Sequence, residues 1–231
     1  MTDAKKAADD LVAWVGPHVE DMPMLEGFLP TPTLILVRFR RWQDILASPR
    51  PDVKRTITTA LWHFARGMAF AAQGKFPDAE AEQKAFLAAR DTVAEEAPFS
   101  AQNNARSVLE IAEGVLAARL AVARNDRESA IAILKKAVQA EEALHYMEPP
   151  DWFLHVRETL GGVLLQNGDA AEAEKVFRAD LERHRRNGRS LFGLAASLRA
   201  QKKDYAAQLV QMEFEQVWQR ALAQPLTVEE L

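Results

Sequence analysis

Pairs of small residues recur twelve positions apart in four segments of the chain, and this pattern limits the fold more than any other feature. Each pair flanks a tight polar turn. The pairs are Gly67 with Ala79, Ala118 with Ala130, Gly161 with Ala173, and Ala195 with Ala207. Because two helices approach each other closely only where the side chains between them are small, the pattern predicts four antiparallel helical hairpins.

The residues between the turns support helices throughout. Ala, Leu, Glu, Gln, Arg and Lys dominate, all of which favour helix, and the one β-like run, residues 34–37, follows a Thr-Pro pair typical of a helix start. Ser100, Asp151 and Ser190 are candidate N-caps. The predicted helices cover residues 3–15, 32–38, 41–47, 53–73, 77–96, 101–124, 127–146, 152–167, 170–186, 191–201 and 205–223.

Most connections between these helices are short, so neighbouring helices are expected to pack antiparallel in one domain. We therefore predict an all-α fold over residues 1–231, a right-handed superhelical stack of helical hairpins with ten or eleven helices. Its predicted parts are an irregular N-terminal helix and loop (1–28), a degenerate repeat (29–48), hairpins at 53–96, 101–146, 152–186 and 191–223, and a tail (224–231).

The hairpin pattern resembles the tetratricopeptide repeat (TPR) family. The best matching segments are ALWHFARGMAFAAQGKFPDAEAE from Ala60 and RETLGGVLLQNGDAAEAEKVF from Arg157, and the resemblance covers residues 50–223. Successive first small residues are 51, 43 and 34 positions apart, and only the last spacing equals the usual period. Residues 17–28 and 146–153 are similar to a bacterial TPR subgroup with longer chains, which implies that this chain is the C-terminal portion of a larger protein.

Composition excludes several classes of function. The net charge is −4, with 29 basic and 33 acidic residues, so there is no general attraction to nucleic acid or to an anionic membrane. The chain has no cysteine, which excludes disulfides and thiolate chemistry. No apolar run approaches the roughly 20 residues of a membrane span, and no signal peptide is visible. We expect a cytoplasmic protein, or a periplasmic one if the parent chain carries a signal peptide upstream.

The TPR resemblance implies a groove for a protein or peptide partner, lined by the first helix of each hairpin. The residues carried over to that face are Phe64, Met68, Arg119, His155, Glu158, Gln166, Arg189, Phe192 and Arg199. The set is apolar and mildly basic, which suits a segment with some acidic residues. The alternative, that each is an ordinary solvated helix residue, stays open.

Two other sites are weighed beside this groove. His18, Met22 and Met24 lie within seven residues, and imidazole and thioether ligands suit copper, although methionines usually pack in the core. Short basic clusters at residues 38–41 and 183–189 lie near helix C-termini, where cations offset the helix dipole, so no nucleic-acid partner is predicted.

The sequence contains no catalytic or nucleotide-binding motif, so we expect no enzyme and no cofactor. The last helix carries Leu209, Met212, Phe214, Val217 and Trp218. If Phe214 or Trp218 is exposed, this helix would mediate a homodimer. The predicted function is a non-catalytic interaction scaffold. The alternatives are a copper-type metal-handling protein and the self-associating C-terminal half of a larger TPR protein.

Overall fold

The computed structural model describes residues 2–219 and 226–231, and the regular elements within these ranges are helices. The one exception is an isolated bridge between Pro98 and Asn104. The α-helices are α1 (Thr2–Val15), α2 (Thr31–Arg38), α3 (Trp42–Ala47), α4 (Thr56–Ala72), α5 (Phe76–Thr92), α6 (Ala105–Ala123), α7 (Arg127–Ala143), α8 (Val156–Gln166), α9 (Ala170–Arg183), α10 (Gly188–Ala200) and α11 (Asp204–Trp218). Short 3-10 helices cover Gly16–His18, Pro23–Phe28 and Val228–Glu230. The predicted all-α stack of helices is confirmed.

The chain divides into two compact units. The first comprises residues 1–126 and 136–154, and the second comprises residues 127–135 and 155–231. The predicted boundaries of a single repeat domain stay a prediction. No helix in the described part of the chain is long and apolar enough to cross a membrane.

The core of the first unit is built around α4, which packs against α2, α3, α5 and α6. Phe64 is fully buried, and its ring meets that of Trp152 edge-on with 5.7 Å between centroids. A β-carbon added at Gly67 would lie 2.9 Å from Leu116 Cδ1 of α6. A side chain at position 67 would therefore have to displace Leu116 where α4 and α6 meet.

The core of the second unit is built around Phe177 of α9, which has no exposed surface. A β-carbon added at Gly161 of α8 or at Gly193 of α10 would overlap its ring. Both helices therefore approach the ring where they have no side chain. The pattern of small residues predicted this role for Gly161 but did not single out Gly193.

Several helix starts differ from the predictions. Helix α6 begins at Ala105, because the Asn104 side chain accepts a hydrogen bond from the Ser107 amide at 2.9 Å. The predicted cap Ser100 instead donates its hydroxyl to Asp151, at 2.8 Å. Helix α8 starts only at Val156 and α10 already at Gly188, capped by Asn187. The sequence shows which residues are able to cap a helix. Which of them caps it depends on hydrogen bonds to residues distant in the sequence, such as the one between Ser100 and Asp151.

Candidate functional site

Residues 226–231 fold back onto α8 in the second unit. Val228–Glu230 form one 3-10 turn, and the Glu230 carboxylate accepts a hydrogen bond from the Thr227 amide at 3.1 Å. A β-carbon added at Gly162 would lie 2.8 Å from Leu231 Cβ and 3.2 Å from the Val228 carbonyl oxygen. The missing side chain at Gly162 therefore makes room for this segment on the helix.

Two side chains hold the segment through its backbone. Thr159 of α8 donates its hydroxyl to the Leu231 carbonyl oxygen at 3.3 Å. Arg189 of α10 donates from Nη2 to the Glu230 carbonyl oxygen. We call the surface formed by Thr159, Gly162 and Arg189 the α8–α10 surface. Because both bonds go to backbone oxygen atoms, which every residue has, this part of the contact does not depend on the side chains of the bound segment.

A buried ion pair orients Arg189. The Glu158 side chain is 3% exposed, and its Oε2 lies 2.8 Å from Arg189 Nε. The two atoms are close, but their geometry is not that of a hydrogen bond, so the contact is an ion pair. Asn187 Nδ2 donates to the other carboxylate oxygen of Glu158 at 2.8 Å. The position of the guanidinium group therefore depends on a carboxylate that is itself held in place.

The polar cluster continues to Asp180, which is 1% exposed. Its carboxylate accepts from Ser190 Oγ at 2.5 Å and from Asn187 Nδ2 at 2.8 Å, and lies 2.9 Å from His184 Nδ1. The His184 ring stacks on that of His155, with centroids 3.6 Å apart. Although Ser, His and Asp occur together, hydroxyl and imidazole both bind the carboxylate. A nucleophile activated by histidine requires a hydroxyl-to-imidazole bond, so this arrangement suits the positioning of α8, α9 and α10.

The structure brings together three of the predicted partner-binding residues of the second unit, His155, Glu158 and Arg189, in this cluster. The other three are spread along the helices. Gln166 is half-buried near the end of α8, and the Phe192 ring packs on Phe214 with centroids 5.6 Å apart. Arg199 is exposed and donates to Gln211 Oε1 of α11 at 2.8 Å, so it lies beside the last helix.

The predicted partner-binding residues of the first unit have three different environments. Phe64 is entirely in the core, so it offers no surface to a partner in this conformation. Met68 is half-buried. Arg119 is also half-buried; burial lowers the pKa of its guanidinium group, and no hydrogen bond or ion pair joins it to another described residue.

The candidate copper ligands lie on the surface. Met22 and Met24 are 50% and 36% exposed, so the alternative that they pack in the core is wrong. His18 is also exposed, with its ring edge-on to Trp14 at 6.5 Å. In the described residues, no group of three or more His, Cys, Asp or Glu is placed to hold a metal ion. That grouping does not include methionine, and the copper site stays a prediction.

Sequence reasoning missed the docking of residues 226–231. The available signal was the second glycine of the Gly161-Gly162 pair, since glycine in the middle of a helix costs about 1 kcal/mol relative to alanine and indicates a close approach. The pattern of small residues included only Gly161, which packs against the Phe177 ring, whereas Gly162 faces the chain's own C-terminal segment.

Comparison with known proteins finds no relative of this chain. The chain matches no protein-family model, no curated protein and no solved structure. Its function is therefore inferred from the arrangement of its own residues.

Proposed function

We propose that this chain is a non-catalytic, TPR-like interaction module that binds a short partner segment on the α8–α10 surface. The observation that carries the proposal is the chain's own segment, residues 226–231, seated there against Gly162. A surface that accommodates one segment through backbone carbonyls can accommodate another of similar shape.

The seated segment indicates the chemistry of the partner. Its sequence, Leu-Thr-Val-Glu-Glu-Leu, combines three apolar side chains with two carboxylates. Leu226, Val228 and Leu231 are all partly buried, whereas Glu229 is exposed. We infer a partner segment with apolar residues and with an acidic residue at the position of Glu230, whose carboxylate holds the turn by accepting from the Thr227 amide.

The chain's own segment competes with a partner for the α8–α10 surface. The apparent affinity of a partner equals its intrinsic affinity multiplied by the fraction of molecules in which the surface is free. A chain whose segment is displaced should therefore bind a partner more tightly, without any new contact.

A peptide titration tests this function. Fluorescein-labelled Leu-Thr-Val-Glu-Glu-Leu is titrated with the native chain and with the Val228→Asp/Leu231→Asp variant, in which the segment is weakened but the surface is intact. We expect the variant to bind the peptide at least about tenfold more tightly than the native chain. Adding Gly162→Leu to this variant fills the space on the α8–α10 surface that the segment occupies, and it should abolish peptide binding. Absence of peptide binding by the tail variant at millimolar concentration would rule the proposal out.

Self-association through α11 is a second candidate function, and one observation favours it. Tyr205, Leu209 and Met212 are 77%, 51% and 53% exposed. Their spacing places them along one face of the helix. The residues first suspected have another role: Phe214 is 9% exposed and stacks on Trp218, with centroids 5.3 Å apart. Exposed apolar stripes of this kind mark protein interfaces.

A further inference from the structure

A groove in the first unit is lined by residues of α4, of α5 and of the connection that follows the short helix α3. Helix α3 has six residues, whereas α5 has seventeen. The Ser48-Pro49 sequence ends α3, since proline disfavours helix in the residue before it. The groove has a volume of about 590 Å³. Ligand pockets usually measure about 300–1,000 Å³, so a small organic molecule fits this space.

Small apolar residues of α5 line part of the groove. Ala85, Ala88 and Ala89 of α5 line it, with Trp62 of α4 at one side and the exposed Val53 at the entrance. Because these side chains are small, the groove has space for a flat or linear apolar part of a ligand. The alanines alone would indicate only a gap between helices and not a binding site.

A buried hydroxyl in the groove has no partner. Thr59 is 9% exposed and lines the groove, and its Oγ1 makes no hydrogen bond to any described residue. A buried polar group without a partner destabilises the folded chain, and such groups are rare. Because this atom is also closed to solvent, the Thr59 side chain has to rotate about χ1 to turn its hydroxyl toward a ligand that enters the groove.

One turn along α4, His63 offers a second polar contact. Its Nδ1 lies 2.6 Å from Glu82 Oε2, and Arg66 Nε donates to Glu82 Oε1 at 2.7 Å. Burial alone would raise the pKa of the Glu82 carboxyl, but the hydrogen bonds from His63 and Arg66 hold it below its usual value. The carboxylate is thus ionised and neutralised by Arg66. His63 Nε2 makes no hydrogen bond to a described residue.

The remaining charge in the groove is positive. Glu82 is the one acidic residue lining it, and it is compensated by Arg66. Arg50, which is exposed at the rim, has no ion pair or hydrogen bond to another described residue. An anionic group at the rim would therefore meet an uncompensated guanidinium group.

We propose that this groove binds a small organic acid with an apolar body. The apolar body lies on Ala85, Ala88 and Ala89, the carboxylate faces Arg50, and an oxygen of the ligand bonds the Thr59 hydroxyl. The site is independent of the α8–α10 surface and does not rest on its proposed function.

Binding of 4-phenylbutyrate and of its neutral amide to the full ¹⁵N-labelled chain tests the site. With twelve non-hydrogen atoms, the acid should bind with a Kd of about 1 mM or tighter. The acid should shift the backbone N–H signals of residues 56–63 and 82–92. The neutral amide of 4-phenylbutyrate should bind at least about fivefold more weakly than the acid. Ala88→Phe should block binding, because Ala88 lines the groove, whereas the matched Ala81→Phe on the same helix should not.

Thr59→Val separates a ligand contact from a structural role. The change removes an unpaired hydroxyl at constant shape, so Tm should rise by about 2–4 °C while the affinity for 4-phenylbutyrate falls about fivefold. Arg50→Gln should weaken binding of the acid but not of the amide. Any of three results would overturn the proposal: no signal shifts at 10 mM acid, equal binding of acid and amide, or unchanged affinity in both Ala88→Phe and Thr59→Val.

Discussion

Gly162 of α8 and Leu231 are in such close contact that a β-carbon on the glycine would lie 2.8 Å from the β-carbon of the leucine. Real β-carbons do not approach so closely, and the nearest atoms to that position all belong to residues 228 and 231. Substitutions at Gly162 should therefore act on the docked segment and spare the helical core.

Gly162→Ala should loosen residues 226–231 without weakening α8. Alanine favours the helix by up to about 1 kcal/mol relative to glycine, but its methyl group would push the segment away. Hydrogen exchange followed by mass spectrometry should show faster exchange in residues 226–231 and unchanged or slower exchange in α8.

The neighbouring Gly161→Ala is the matched control for that experiment. Its methyl group would overlap the ring of Phe177, and overpacking of this kind costs about 1–3 kcal/mol. A lower midpoint of urea unfolding is expected for Gly161→Ala alone. Unchanged exchange of residues 226–231 in Gly162→Ala would contradict the assigned contact.

Glu158→Gln should destabilise the second unit strongly. Glu158 and Arg189 have side chains that are 3% and 12% exposed, and Glu158→Gln removes the buried negative charge that pairs with the Arg189 guanidinium group. The expected cost is about 3–5 kcal/mol in the free energy of unfolding, measured by urea denaturation. The double variant Glu158→Gln/Arg189→Gln should recover part of this loss. Equal costs for the single and double variants would argue against a stabilising ion pair.

The pH dependence of stability should show a contribution from Glu174. Hydrogen bonds from Lys203, Gln201 and Arg178 outweigh burial and lower the pKa of this carboxyl to about 2. Because the native pKa lies below the ordinary value of 4.5, the contribution is present above pH 4.5 and is lost as the pH falls toward 2. Glu174→Gln should lower the urea midpoint at pH 7 and flatten its decline between pH 4.5 and 2. The exposed Glu172→Gln on the same helix is the control and should leave that decline unchanged.

The exposed face of α11 should determine the oligomeric state if the second candidate function holds. Light scattering after size exclusion, at about 100 µM, should give a native mass near twice 25.8 kDa. Leu209→Lys/Met212→Lys should give a single chain, because lysines in an apolar interface lose hydration without gaining a partner. Asp204→Asn/Glu215→Gln changes the net charge by the same amount on another face of the helix and should keep the dimer. A monomeric native chain at this concentration would refute self-association through α11.

Local patterns sufficed to predict the helices, but not which of their surfaces are accessible. Gly161 and Gly67 were identified as sites of close packing because each belongs to a pair of small residues twelve positions apart. Phe64 and Arg199 were carried to the same inner face by repeat position alone. Such a position specifies a side of the helix, whereas neighbouring elements decide whether that side is covered: Phe64 is enclosed beside Trp152, and Arg199 lies at α11.

The candidate site depended on contacts that are distant in sequence. Thr159 and Leu231 are 72 residues apart, and Arg189 and Glu230 are 41 residues apart. The segment 226–231 has no periodicity that would indicate a docking partner, and only Gly162 offers a local signal. The groove at Thr59 was equally hidden, because its lining residues lie in α4, in α5 and in the connection before α4, and no sequence motif links them.

Disulfide trapping of residue 162 to residue 231 is the most direct test of the docked segment. The chain has no cysteine, so Gly162→Cys/Leu231→Cys contains a single pair of thiols. Disulfides require about 3.5–4.5 Å between β-carbons, which the segment reaches by moving back about 1 Å. We predict that oxidation yields an intramolecular disulfide much faster in buffer than in 8 M urea, where only random loop closure brings the thiols together. An equal rate in both solvents, or disulfides formed only between chains, would contradict the placement of residues 226–231 on the α8–α10 surface.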